Sequence, residues 1–198
     1  MLVQGNTVTK ALIILCGVVY LALAVLSGDP LYIDWGLLAL VGQWNRLVYQ
    51  GCYWQLVTSV FVHANLLHLG LNMFYLYIVG TRLERYLGGG PVLGTFMACA
   101  LAGNLLSLLS GPDVVSVGSS GGVLGLFAFE LTYLPALSGA SMGPALAQLA
   151  LLFILNSLIP GADILAHLGG MVAGALLGLA AARRRRAVLH KVCGYPIG

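Results

Sequence analysis

The sequence predicts an all-α membrane protein, a single domain built as a bundle of six spanning helices. Three observations carry that expectation. Hydrophobic residues fill 60% of the 198 positions and charged residues only 8%, with a mean hydropathy of +0.97. About a quarter of a soluble domain is charged, so this chain lacks the side chains to cover a water-facing surface. Apolar stretches recur along it, each near the roughly 20 residues that a helix needs to cross a bilayer. The nine basic residues, finally, sort almost entirely to one side of that arrangement.

The predicted spans are about 10–27, 64–82, 91–110, 119–137, 143–160 and 163–182, with a basic tail over 183–198. No A-x-A-like site follows the first stretch, so it reads as an anchor and not as a cleaved signal peptide. The long connection over 28–62 holds all three tryptophans, Trp35, Trp44 and Trp54, together with Tyr32, Tyr49 and Tyr53. Such rings prefer the headgroup level, which predicts a segment half-embedded in the interface. With the N-terminus inside, Lys10, Arg82, Arg85, Arg183 to Arg186 and Lys191 are cytoplasmic, and Arg46 alone is outside. Asp29, Asp34, Asp113 and Asp163 then fall on the outer side. The positive-inside rule therefore predicts a multi-pass protein with both termini cytoplasmic, and the cell (inner) membrane is the expected location. The tail "RRRRAVLHKV" reads as a topology anchor, so the bilayer is an expected partner and nucleic acid is not. Cys16, Cys52, Cys99 and Cys193 lack any CxxC spacing and read as small hydrophobes, with no metal and no cofactor expected.

Polar side chains are expensive in hydrocarbon and tend to mark function there. Three groups stand out. Ser119 and Ser120 sit among Gly118, Gly121, Gly122 and Gly125 in "VSVGSSGGVLGLFAF". His63, His68 and Asn72 occur in "FVHANLLHLGLNMFY", where His68 and Asn72 share a helical face one turn apart. His167 opens "HLGGMVAGALLG", and Gly170, Gly174 and Gly178 follow on its side. That glycine ridge, with Gly121-x-x-x-Gly125 opposite it, predicts close approach of the His167 and Ser120 helices. Taken singly, each group has a plain reading as packing or as a satisfied buried polar residue. Together, at one depth, a serine with a histidine is a nucleophile with its base. A second histidine and an asparagine are donors for an oxyanion.

On these motifs the chain resembles the rhomboid family of intramembrane serine proteases. "GSSG" (118–121) matches the family's G-x-S-G, "HANLLHLGLN" (63–72) its H-x-x-x-x-H-x-x-x-N, and "AHLGGMVAG" (166–174) its third motif. The resemblance implies a six-span rhomboid-like bundle with Ser120 as nucleophile and His167 as general base near the outer face. It implies an oxyanion hole of His68, Asn72 and the Ser120 backbone N–H, with His63, Gly118 and Gly121 in support and Ser119 as the motif's variable residue. Transmembrane proteins with helix-weakening residues and a small residue at the cut are the implied substrates.

Two positions depart from the family pattern. Trp54-Gln55 stands where Trp-Arg is frequent, and Leu124 where an aromatic commonly packs on the imidazole. Glu84, in "RLERYLG", reads as part of a structural network. Asp163 lies one turn before His167 but reads as a helix cap, which predicts a dyad and not a triad. The alternative function is a catalytically weak or inactive rhomboid-fold protein that binds transmembrane segments. A transporter would show an internal repeat, and none is found. A metalloprotease would need H-E-x-x-H, and no Glu accompanies His63 and His68.

Overall fold

The computed structural model describes residues 6–159 and 161–193. Helix α1 (Thr7–Ser27) closes on Gly28, whose left-handed backbone (φ 68°) returns an N–H to Val25. The predicted interfacial segment follows as three short helices, α2 (Trp35–Val41), α3 (Asn45–Tyr49) and α4 (Gln55–Thr58). Then come α5 (Leu66–Leu87), α6 (Gly89–Ser107), α7 (Ser120–Ser138), α8 (Gly143–Ser157) and α9 (Ile164–Cys193). Two dipeptide strands, β1 (Gln43–Trp44) and β2 (Val115–Ser116), pair antiparallel with Gln43 opposite Ser116.

Helix α7 is the hub. It packs along α9 and α6, which also pack on each other, while α1 and α8 lie outside. Its span is 61% buried, against 28% for α1. Phe96, Leu76, Leu83, Leu126, Val79 and Val92 form the central apolar cluster between α5, α6 and α7.

Among the described residues six helices have 15 residues or more, and four of them, α1, α6, α7 and α9, are long and apolar enough to cross a membrane, against the six spans expected. Helix α5 has the length but carries Arg82, Glu84 and Arg85, and α8 has 15 residues. The protein is an integral membrane protein. Boundaries shift most at the last helix. Its apolar stretch was expected to end at 182, yet α9 continues through the arginine run to Cys193. Arg183 to Arg186 are good helix formers and simply extend it. The remainder of the expected tail, 194–198, lies outside the described residues.

The 28–62 segment is held by polar side chains. Gln55 is fully buried; its Nε2 donates to the Ala39 and Leu40 carbonyls (3.1 and 3.0 Å), and its Oε1 accepts from Trp44 N–H (3.0 Å). The position that departs from the family pattern is therefore a fully satisfied brace. Asn45 Nδ2 donates to the Ser107 and Gly111 carbonyls (both 2.9 Å), and Asn104 Nδ2 donates to Leu56 O (2.7 Å) and Ser59 Oγ (2.9 Å). These bonds fasten the segment to the end of α6. The rings of Trp35, Tyr53 and Trp54 remain exposed, as a segment lying in headgroups requires.

Glu84, near the end of α5, reaches the start of α1. It accepts from Val8 N–H (2.9 Å), Thr9 N–H (3.0 Å) and Thr9 Oγ (2.7 Å). A carboxylate there satisfies the free N–H groups of the first turn and complements the positive end of the helix dipole.

Candidate active site

The site forms where α7 and α9 begin. Gly118 turns the chain into α7 with φ 118°, a backbone that only glycine adopts freely, and its N–H donates to the Ser59 carbonyl (3.0 Å). The turn also needs the missing side chain, because a Cβ on Gly118 would lie 2.8 Å from the His68 ring. Ser119 takes the cap position without a side-chain cap bond, and Ser120 is the first helical residue. The backbone N–H of a first-turn residue has no partner within its own helix. Ser120 therefore carries a hydroxyl and an available N–H at the positive end of α7.

His167 sits in the first turn of α9, 5% exposed, with its Nε2 2.9 Å from Ser120 Oγ. The glycine ridge sets that distance. A Cβ on Gly170 would fall 2.7 Å from the Gly121 carbonyl carbon, and one on Gly174 2.7 Å from that of Gly125. On Gly178 it would meet the Phe129 carbonyl oxygen at 2.5 Å. Backbone thus lies on backbone for three turns, and the two helix starts converge at Ser120 and His167. Gly103 and Gly169 make a similar close approach between α6 and α9.

Asp163 is engaged elsewhere than at the imidazole. Its Oδ1 accepts from Ala166 N–H (3.0 Å), an N-cap bond, and its Oδ2 accepts from the Ser107 hydroxyl. His167 Nδ1 is buried with no hydrogen-bond partner among the described residues. Leu124, where the family pattern carries an aromatic, packs with Ala128, Leu149 and Met171, and Phe153 packs against that cluster.

The other motif gathers on the opposite side of Ser120. The His63 and His68 rings meet edge to face, 5.2 Å between centres, and the His68 ring covers Gly118. Asn65 caps α5 by accepting from His68 N–H (2.8 Å), which fixes the turn that bears this ring. Asn72 Nδ2 donates to the His68 carbonyl (3.0 Å), so part of its donor capacity is used within its own helix. Its Oδ1 accepts from Ser119 Oγ (3.2 Å), and Ser119 Oγ also lies 3.2 Å from His63 Nε2. Sequence reasoning gave Ser119 no part. Its partners stand 47 and 56 residues away along the chain, and no local pattern announces them.

A cavity of about 560 Å³ opens elsewhere, between α5, α7 and α8, lined by Arg82, Phe127, Glu130, Leu131, Ala145 and Gln148 among others. No motif residue lines it, so it is separate from the Ser120 site.

Residues 50–184 match the Rhomboid domain family. The chain is 34% identical over 140 residues to RHOMBOID-like protein 6, mitochondrial, of Arabidopsis thaliana, covering 68% of this chain and 46% of that protein. It is 36% identical over 141 residues to RHOMBOID-like protein 5 of the same plant, covering 68% and 46%. Rhomboid-like protease 3 of Toxoplasma gondii is 34% identical over 131 residues, covering 63% and 50%. The chain spans about half the length of these curated relatives. The match runs from Gln50, just before the brace at Gln55, to the arginines of α9 and takes in every helix start that forms the site, and on that extent the chain belongs to the rhomboid family.

Proposed function

We propose that the protein is an intramembrane serine endopeptidase that cleaves transmembrane segments of other membrane proteins. One observation carries the reading: Ser120 Oγ lies 2.9 Å from His167 Nε2, hydrogen-bonding contact between a nucleophile and a base. His167 takes the Ser120 proton as the oxygen attacks the scissile carbonyl, then gives it to the leaving amine. Water, activated by the same imidazole, releases the acyl group. The Ser120 N–H, His68 and the unused N–H of Asn72 stabilise the oxyanion, and each such donor typically lowers the barrier by about 2.7–4 kcal/mol. Gly118 and Gly121 keep side chains out of the approach, and His63 supports the histidine–asparagine wall.

A helical substrate hides its carbonyls in its own hydrogen bonds, so the preferred substrates unwind easily and carry a small residue at the cut. In this reading all six long helices span, both termini are cytoplasmic, and the site opens near the outer face of the cell membrane. The placement of Ser120 and His167 at helix starts, beside the aromatic segment, favours that depth.

The test is labelling of the purified protein with a fluorophosphonate probe, paired with cleavage of a model transmembrane substrate in liposomes. Wild type labels and cleaves, whereas Ser120→Ala does neither and His167→Ala loses cleavage. Cleavage that survives Ser120→Ala removes the nucleophile assignment. A folded wild type that neither labels nor cleaves favours the alternative, a rhomboid-fold binder of transmembrane segments.

A further inference from the structure

Ser119 is a cap residue whose side chain does not cap. It is wholly buried, as is His63, and its hydroxyl stands between His63 Nε2 and Asn72 Oδ1 at 3.2 Å from each. The direction of these bonds follows from one fixed acceptor. A backbone carbonyl can only accept, so the Asn72 group 3.0 Å from His68 O is the amide NH2. The Asn72 atom facing Ser119 is then the oxygen. Ser119 has one proton, and it must go to that oxygen. His63 Nε2 is left to donate to Ser119 Oγ, which requires the Nε2–H tautomer. His63 Nδ1 is then unprotonated; it makes no hydrogen bond of good geometry, and the Phe61 carbonyl is the acceptor that would compete for a proton there.

We propose that Ser119 is a positioning residue that fixes the Asn72 amide for the oxyanion, as the middle link of a chain running His63 Nε2–H to Ser119 Oγ–H to Asn72 Oδ1. The proposal rests on the serine protease reading above. With its oxygen clamped, Asn72 turns both amide protons away from Ser119. One bonds the His68 carbonyl and the other is left for a developing negative charge. Without the clamp the amide is held only by its bond to the His68 carbonyl and can swing about it, so its second proton is no longer fixed toward the oxyanion. Because Ser119 adjoins Ser120, the clamp also ties this donor in register with the nucleophile and its backbone N–H. The first serine of "GSSG", Ser119, therefore acts through Asn72 and touches no substrate.

The test is a double-mutant cycle on the full chain in liposomes, with kcat and KM measured for a model transmembrane substrate. Ser119→Ala is expected to lower kcat by about 3- to 30-fold with KM within about twofold, since it disturbs a contact made chiefly in the transition state. In an Asn72→Ala background the same substitution should change kcat by less than about twofold, because its only route of action is gone. Wild-type kcat in Ser119→Ala, or losses that multiply in the double variant, overturns the proposal. A second readout needs neither activity nor a variant: nitrogen-15 NMR of the wild-type histidines. An Nε2–H signature for His63 is expected. An Nδ1–H form, with the Phe61 carbonyl as acceptor, reverses the chain and also overturns the proposal. A wild type that cleaves nothing sinks the protease reading, while the tautomer still decides the clamp.

Discussion

Asp163 is the residue whose spacing most invites a catalytic part. It stands one turn before His167, where a carboxylate beside the imidazole would orient it and stabilise the imidazolium. Its oxygens are taken: one accepts from Ala166 N–H at 3.0 Å and the other from Ser107, across from α6. It therefore closes the head of α9 and fastens that head to α6. Asp163→Asn retains an oxygen for the cap and is expected to keep turnover within about threefold of wild type. Asp163→Ala is expected to lower stability by about 1 kcal/mol, the usual worth of an N-cap, with probe labelling of Ser120 preserved. A loss near 10,000-fold, the scale of triad amidation, with unchanged melting would put Asp163 in the chemistry. The cap was legible in the sequence because a cap is local, an acid just before a helix and just after a glycine. The Ser107 contact and the Ser119 clamp were not, since both are made by tertiary approach of segments about 50 residues apart.

At the level of elements, the distance between Ser120 and His167 is set by the absence of side chains farther along α7 and α9. Gly170 and Gly174 each leave room for a carbonyl of the facing helix, and a Cβ on Gly174 would stand 2.7 Å from the Gly125 carbonyl carbon. Neither partner is a flexible side-chain tip, so the helices must part. Overpacking of this kind costs about 1–3 kcal/mol, and a displacement of about 1 Å at reacting groups can cost about 100-fold in rate. Gly174→Ala is therefore expected to lower both the melting temperature and the rate of fluorophosphonate labelling, although it lies two turns along α9 from His167. Gly94→Ala is the matched control, since a Cβ on Gly94 would meet nothing within 4 Å. Equal behaviour of the two variants would dismiss the seam as the device that sets the site. This seam was readable in advance, because glycines at steps of four show in one dimension. The 28–62 segment was readable only as aromatic and interfacial. Its three short helices and the β1–β2 pairing depend on Gln43, Asn45, Gln55 and Asn104, polar residues that resemble loop filler until their distant partners are known.

For the whole molecule, the question is whether α5 and α8 cross the bilayer as the other four long helices are fitted to do. The contacts define two faces. Ser120, His167, the interfacial segment and the Arg46–Asp113 ion pair lie at one end of the bundle. At the other end, Glu84 holds the start of α1, and Arg186 lies beside Gly139 at the close of α7. Helix α5 leaves the first face, where Leu66 N–H bonds Leu31 O, and arrives at the second with Glu84. Helix α8 takes the chain from the end of α7 back to the start of α9, which is a return to the first face. Both must therefore traverse the bundle, although 15 residues of α8 rise only about 22 Å at about 1.5 Å each. That is less than the roughly 30 Å hydrocarbon core, so a spanning α8 requires its ends to lie in thinned or interfacial lipid. Eight of the nine basic residues lie toward the second face, and Arg46 is the exception; under the proposed topology that face is the cytoplasmic one. The expected outcome is specific. In a background with Cys16, Cys52, Cys99 and Cys193 replaced by alanine, Tyr53→Cys reacts with an impermeant thiol reagent on intact cells. Ser141→Cys, between α7 and α8, and Val188→Cys, on the basic end of α9, react only after lysis. The reverse pattern inverts the protein and turns Ser120 toward the cytoplasm. Reaction of Ser141→Cys from outside together with Tyr53→Cys would place both ends of α7 on one side and end the six-span arrangement.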